Sequence, residues 1–256
     1  MAYRKLMDRI RPRLALAPPR EHRLPVGERI YAIGDIHGRL DCLNALLAKI
    51  DADDAARGTA DTTLVFLGDL MDRGPDSNAV IERAMHIAET RPSVFLMGNH
   101  EEIFIHVWEG DERAIALFHR VGGRETLMSY GVEAGDYDTG NPGEIAALTR
   151  KHVPTHHIAF LRRFLDSHSS GDYLFVHAGI KPGVPLSAQT PADLRWIRGA
   201  FLDDGRDHGP MVVHGHSITQ DYDEQHNRIG IDTGAFASGK LTAIGIEGTD
   251  RWFLNS

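Results

Sequence analysis

The chain has 256 residues, 42% hydrophobic and 25% charged, close to the globular average. This excludes a fibrous repeat or a wholly disordered chain and allows one large α/β domain. Asp and Glu number 36 against 28 Lys and Arg, and the net charge of -8 has the wrong sign for a stable nucleic-acid complex. The lone Cys42 excludes an intramolecular disulfide framework and fits a reducing, cytoplasmic setting.

Residues 1–27 are locally basic: Arg4, Lys5, Arg9, Arg11, Arg13, Arg20 and Arg23 outnumber Asp8 and Glu21. Pro12, Pro18, Pro19 and Pro25 break any continuous helix, and no apolar run follows the charges. The segment therefore reads as a short amphipathic turn plus linker, neither signal peptide nor membrane span, with 28–256 as a single domain. "RIYAI" reads as a strand, and "RLDCLNALLAKI" as a helix with Leu40, Leu43, Leu46, Leu47 and Ile50 on one face. A second strand, "TTLVFLG", a helix over 76–89 and a third strand, "SVFLMG", complete a β-α-β-α-β start. Residues 102–171 read as mainly helical, with a Gly-rich bend over 131–143, and form one rim of a cleft. "YLFVH", "MVVHG", "RIGID", "LTAIGIE" and "RWFLN" supply further strands.

The strands share a kind of ending. "IGDIHGRLD" carries Asp35 and His37; "TTLVFLGDLMDRGPDS" carries Asp69, Asp72 and Arg73; "SVFLMGNHEE" carries Asn99 and His100. His177 ends "YLFVHAG", and His214 and His216 lie in "MVVHGHS". One Asp-x-His by itself is an ordinary solvated turn. Loops at the carboxyl ends of an α/β sheet, however, converge on one crevice, so these residues can meet. Buried carboxylates need compensating cations, and one carboxylate can bridge two. Asp, His and an Asn carbonyl suit Mn, Fe or Zn ions, while the lack of thiolates speaks against a structural zinc site. Two such ions ~3.5–4 Å apart activate a hydroxide and stabilise a phosphoryl displacement. Glycines beside the candidates, at Gly34, Gly38, Gly68, Gly98 and Gly215, allow close backbone approach.

Gly34-Asp35-Ile36-His37-Gly38, then Gly68-Asp69-Leu70-Met71-Asp72-Arg73-Gly74, then Gly98-Asn99-His100-Glu101 resemble the phosphoprotein phosphatase family of calcineurin-like metallophosphoesterases, in particular its bacterial and phage serine/threonine phosphatases. The likeness runs from about Ile30 to Gly248. It implies a four-layer α/β/β/α sandwich with mixed sheets and a dinuclear centre, manganese first, with iron or zinc as alternatives. Asp35, His37 and Asp69 would hold one metal, and Asp69, Asn99, His177 and His216 the other, Asp69 being the bridge. His214 would orient its neighbours, and Ile218 stands where the wider superfamily often has another His. His100, paired with Asp72, would protonate the leaving oxygen. Arg73, Asn99 and Arg198, the last in "RWIRGAFL", would bind the phosphate.

Arg195 reads as a water-facing helix residue, Trp196 as core and Glu101 as structural. Packing or exposure accounts for His106, His119, His156, His157 and His168. The resulting expectation is a monomeric, metal-dependent phosphomonoesterase acting on phosphoserine or phosphothreonine in proteins or on small phosphoesters. The same-fold alternative is symmetrical hydrolysis of dinucleoside polyphosphates such as diadenosine tetraphosphate. A non-catalytic metal-binding regulatory module would be expected to have lost a ligand or an arginine, and none is lost.

Overall fold

The computed structural model describes residues 21–256, so most of the basic N-terminal segment lies outside the described residues. In chain order the elements are β1 (Glu28–Ile33), α1 (Leu40–Arg57), β2 (Asp61–Phe66), α2 (Ser77–Thr90) and β3 (Ser93–Phe95). Six helices follow: α3 (Asn99–Glu109), α4 (Glu112–Val121), α5 (Gly123–Ser129), α6 (Ala134–Thr139), α7 (Pro142–His152) and α8 (Thr155–Leu161). The second half holds β4 (Ser167–Ser170), β5 (Tyr173–Val176), α9 (Pro191–Trp196), α10 (Gly199–Leu202) and β6 (Met211–His214). It closes with β7 (Asp223–Glu224), β8 (Arg228–Gly230), α11 (Ala235–Ser238), β9 (Thr242–Glu247) and β10 (Asp250–Asn255).

Two five-stranded mixed sheets result, ordered β10-β9-β1-β2-β3 and β4-β5-β6-β8-β7. In the first, β1, β2 and β3 are parallel, and β9 pairs antiparallel along the other side of β1. In the second, β5, β6 and β8 are parallel between the antiparallel edges β4 and β7.

Period-two alternation assigns the layers. Ile30, Ala32, Val65, Ile244 and Ile246 of the first sheet meet Tyr173, Phe175, Met211, Val213 and Ile229 of the second. The alternate residues Tyr31, Ile33, Leu64 and Phe66 pack against Leu43, Leu46, Leu47 and Ile50 of α1 and Val80 and Ile81 of α2. Leu174, Val176 and Val212 lie against Leu194 and Phe201 of α9 and α10 on the far side. Every one of these side chains is buried, and each Val, Leu, Ile, Phe and Met among them contributes roughly 1.5–3 kcal/mol. The stack is the expected α/β/β/α sandwich.

Three local readings change. The bend over 131–143 contains α6 and the start of α7, because Asn141 caps α7 from one side, Glu144 returns the bond, and Pro142 occupies the first helical turn. β4, with the sequence "SHSS", and the two-residue β7 lack an apolar alternation and form as edges paired to β5 and β8. Trp196 is not core: it is 36% exposed, and its Nε1–H donates to Glu102 at 2.6 Å. Among the described residues no helix is long and apolar enough to cross a membrane.

Candidate metal centre

The loops leaving β1, β2 and β3 are tied to one another by backbone bonds. The Asp69 carbonyl accepts the N–H groups of Ile36 (3.0 Å) and His37 (2.9 Å), and the Leu70 carbonyl accepts that of Gly38 (2.9 Å). Glu101, in the first turn of α3, adds a pin. Its Oε2 accepts from Asp69 N (2.9 Å) and Gly98 N (3.0 Å), and its Oε1 from Leu70 N (2.8 Å). Burial and the nearby Asp69 push this carboxyl up, to about 7, against the three N–H donors, which favour its ionised form. Glu101 is therefore structural, as its position in the motif suggests. Among the described residues the non-glycine positions with positive φ are His37, Asp69, Asp72, Arg73 and His216, with φ from 48° to 69°. Backbone strain is thus concentrated where the strand-end motifs meet.

Asp69 occupies the middle of the cluster. Its Oδ2 lies 3.6 Å from His37 Nε2 and 3.7 Å from His100 Nε2, and its Oδ1 lies 3.5 Å from His177 Nε2. Backbone carbonyls set two of the rings. His37 Nδ1–H donates to Met71 O (2.7 Å) and His177 Nδ1–H to Leu67 O (2.8 Å), which leaves each Nε2 as a lone pair facing inward. His177 Nε2 then faces Asn99 Oδ1 at 3.0 Å and His216 Nδ1 at 3.2 Å. Burial holds His37, His177 and His216 below the ordinary histidine value, His216 at about 3, so all three rings are neutral near pH 7. Asp35 accepts the His216 N–H at Oδ2 (3.0 Å). Its Oδ1 and the Nε2 of His216 have no partner.

Two groups, His37–Asp69–His100 and Asp69–His177–His216, keep their ligand atoms within 4.8 Å of one another and share Asp69. Inward lone pairs, neutral rings and orphaned acceptors at buried positions form a donor set that fits divalent cations. Asp35 is buried beside this cluster, with burial, Asp232 and Asp69 all raising its carboxyl. Sequence reading missed Asp232. Its carboxyl is raised to about 6, chiefly by burial, and it accepts the Gly234 N–H at 2.9 Å. The run "RIGIDTG" carried a weaker signal than the other motifs, an Asp two residues past a strand end with glycine only two positions away on either side.

On the substrate side, His100 Nδ1–H donates to Asp72 Oδ2 at 2.6 Å. Burial lowers the His100 pKa, but Asp69 and Asp72 together outweigh it and raise the ring above its usual value. Asp72 is itself held: Thr126 Oγ1 donates to its Oδ1 (2.5 Å), and its N–H reaches Ser77 Oγ (3.1 Å). Arg73 Nη2 lies 3.2 Å from His100 Nε2, and its Cζ stands 4.7 Å over the Phe236 ring, which meets His37 edge-on. Arg198 is exposed, and its positive charge is a lesser cause, after burial, that lowers His177 and His216. Arg195 is committed elsewhere, bonded to Asp166 (2.5 Å) and Glu102 (2.7 Å). His214 is buried, with Nδ1 at the carbonyl of Gly215 (3.0 Å), the residue between it and His216. Thr126 and Phe236, on α5 and α11, had no local sequence signal.

Residues 28–230 match the family model described as calcineurin-like phosphoesterase. An asymmetrical bis(5'-nucleosyl)-tetraphosphatase, PrpE, of Anoxybacillus flavithermus is 25% identical over 226 residues, 83% of this chain and 88% of its own. A symmetrical bis(5'-nucleosyl)-tetraphosphatase of Acidovorax sp. is 34% identical over 154 residues, 60% of this chain and 44% of its own. The crystal structure of a candidate diadenosine tetraphosphatase superposes with TM-score 0.61 at 21% identity, covering 91% of this chain and 96% of that one. The cold-active protein-tyrosine phosphatase of a psychrophilic Shewanella gives 0.55 at 18%, covering 92% and 82%; both likenesses concern the fold. Since the family model covers most of the sequence and takes in every strand-end motif through His216, the chain belongs to the calcineurin-like phosphoesterases, hydrolases that work with bound metal.

Proposed function

We propose that the chain hydrolyses dinucleoside tetraphosphates asymmetrically, and that 28–256 acts as one monomeric catalytic unit in the cytoplasm. The observation that carries hydrolysis is the shared carboxylate of Asp69 between two metal-capable groups. Asp35, which is in neither group, would join His37 and Asp69 on one divalent ion in place of His100, and Asp69, Asn99, His177 and His216 would hold the other, with manganese as the native metal and iron or zinc as substitutes. Such a pair supplies Lewis-acid activation of water and of the phosphoryl oxygens. The rest is done by side chains. Arg73 and Arg198 bring two guanidinium groups to the phosphates and offset charge in the transition state. His100, oriented by Asp72, carries the proton for the departing oxygen.

Asymmetrical cleavage is preferred to the symmetrical alternative because the asymmetrical relative runs along 83% of the chain, whereas the symmetrical one overlaps only 60%. A second reading, phosphoserine or phosphothreonine hydrolysis, is favoured by the His100–Asp72 pair, since an alkoxide needs a proton donor far more than a phosphate does. The test is a substrate panel on manganese-reconstituted enzyme, with products separated by ion exchange. ATP plus AMP from diadenosine tetraphosphate is the expected result. Two ADP would restore the symmetrical reading, and a kcat/KM higher for a phosphoserine peptide than for the dinucleotide would establish the second.

A further inference from the structure

Helices α2 and α8 bring together a group of side chains that the hydrolytic centre does not use. Glu82 of α2 and His156 and His157 of α8 keep their ligand atoms within 4.8 Å of one another. His157 Nε2 lies 2.8 Å from Glu82 Oε1, and His156 Nε2 lies 3.9 Å from the same oxygen. We propose that this triad is a second, peripheral metal site, taking a borderline divalent ion such as Zn²⁺ and linking α8 to α2.

The ligand chemistry fits. Two imidazoles and one carboxylate are a donor set that zinc accepts, with a water in the fourth position. Zinc bonds of ~2.0–2.2 Å in a tetrahedron place ligand atoms about 3.4 Å apart, between the 2.8 and 3.9 Å separations found here. The adjustment falls on mobile groups, because the side chains of Glu82 and His156 are 56% and 60% exposed. The third ligand is fixed. His157 is fully buried, and its Nδ1 is 2.8 Å from the hydroxyl of Tyr130. Without metal, the Nε2–H of the neutral ring donates to Glu82 and Nδ1 accepts from Tyr130. On binding, the ring proton moves to Nδ1 and donates to the Tyr130 oxygen, which frees the Nε2 lone pair. That is the outer-shell bond that fixes the tautomer of a metal-bound histidine. Burial already holds the ring below the ordinary histidine value, so no proton has to be removed from it near pH 7.

The test is equilibrium dialysis of the full chain against zinc alone, with metal counted by mass spectrometry. His156→Ala and Glu82→Ala should each bind one zinc fewer than wild type while keeping wild-type hydrolysis with manganese. Zinc should also raise the melting temperature of wild type more than that of either variant. The difference of one does not depend on how many ions the hydrolytic centre takes up. Equal zinc content in all three proteins, or a deficit accompanied by loss of manganese-supported activity, would overturn the proposal.

Discussion

Gly98→Ala tests whether the centre depends on close packing between the second and third motifs. Gly98 has ordinary extended backbone angles (φ -85°, ψ 171°), so alanine meets no torsional objection. The objection is spatial. A Cβ there would fall 2.6 Å from Asp69 N and from Glu101 Oε2, and closer still to Asp69 Oδ1, whereas real Cβ contacts essentially never come under 3.0 Å. The two atoms at 2.6 Å must therefore retreat by about 0.4 Å, and Asp69 Oδ1 by more. The atoms in the way are backbone and the two carboxylates bonded to it, so no flexible tip can absorb the shift. Overpacking of this kind costs about 1–3 kcal/mol, and weakening the Asp69 N–H bond to Glu101 adds about 1.5 kcal/mol. A total of ~3 kcal/mol corresponds to a melting temperature lower by roughly 6–12 °C for a domain of this size. Metal sites tolerate only about 0.2 Å in ligand distance. Metal affinity should consequently fall by about 10–100-fold, as it does when supporting contacts are lost. Scanning fluorimetry, metal content after gel filtration, and turnover of p-nitrophenyl phosphate across a manganese titration would measure all three effects. Gly135→Ala is the control, because its Cβ would meet nothing within 4 Å. A Gly98→Ala enzyme with wild-type metal content and activity would refute the packing argument and the central position given to Asp69.

Asp69→Asn should lower metal content and abolish turnover while the circular dichroism spectrum is retained; two bound metals and normal rate would remove Asp69 as the bridge. Arg198→Ala should cut kcat/KM by tenfold or more, about 1.5–3 kcal/mol of charge-assisted contact, with unchanged metal content, while Arg195→Ala should lower the melting temperature instead. His100→Asn should keep both metals and lose more rate on a phosphoserine peptide than on p-nitrophenyl phosphate, whose leaving group departs without a proton; a uniform loss with depleted metal would make His100 a ligand. Asp53 accepts bonds from Tyr31 (2.6 Å), Trp252 (2.7 Å) and Arg57 (2.8 Å). Burial alone would raise its carboxyl, but these donors together hold it below the ordinary value. Its stabilisation is therefore full above the unfolded value of about 3.9 and lost as pH falls through the lower folded value. Asp53→Ala should cost about 2 kcal/mol near pH 7, and a urea-midpoint difference from wild type that does not shrink as pH falls below about 3.9 would contradict this.

What the sequence made readable was local. A buried strand followed by Gly-Asp or Gly-Asn is a continuous string, so Asp35, Asp69 and Asn99 could be placed at strand ends, and the glycines beside them explained by approach distances that the fold then imposed. β4 was unreadable because "SHSS" owes its extended form to pairing with β5, and nothing in its own composition favours it. Thr126 supports Asp72 from 54 residues away, and Phe236 meets Arg73 only after α11 folds over the cluster. Such contacts depend on the packed arrangement and have no periodicity to announce them. Arg195 and Arg198 show the same limit. They are three positions apart in one motif, yet one is consumed by Asp166 and Glu102 and the other is left to the solvent.

The placement of β9 has a consequence for synthesis of the chain. All the ligand candidates lie between Asp35 and His216, but β1, which carries the first of them, is flanked on one side by β9, and Gly34 donates its N–H to Thr242. A nascent chain that has emerged only as far as Gly230 thus holds every candidate and lacks the strand beside the first motif. Its β1 edge would be open to pairing with other chains. Co-translational loading of metal would accordingly have to wait for β9 and β10 to leave the ribosome, and a ribosome stalled before that point would present an incomplete centre with an adhesive edge.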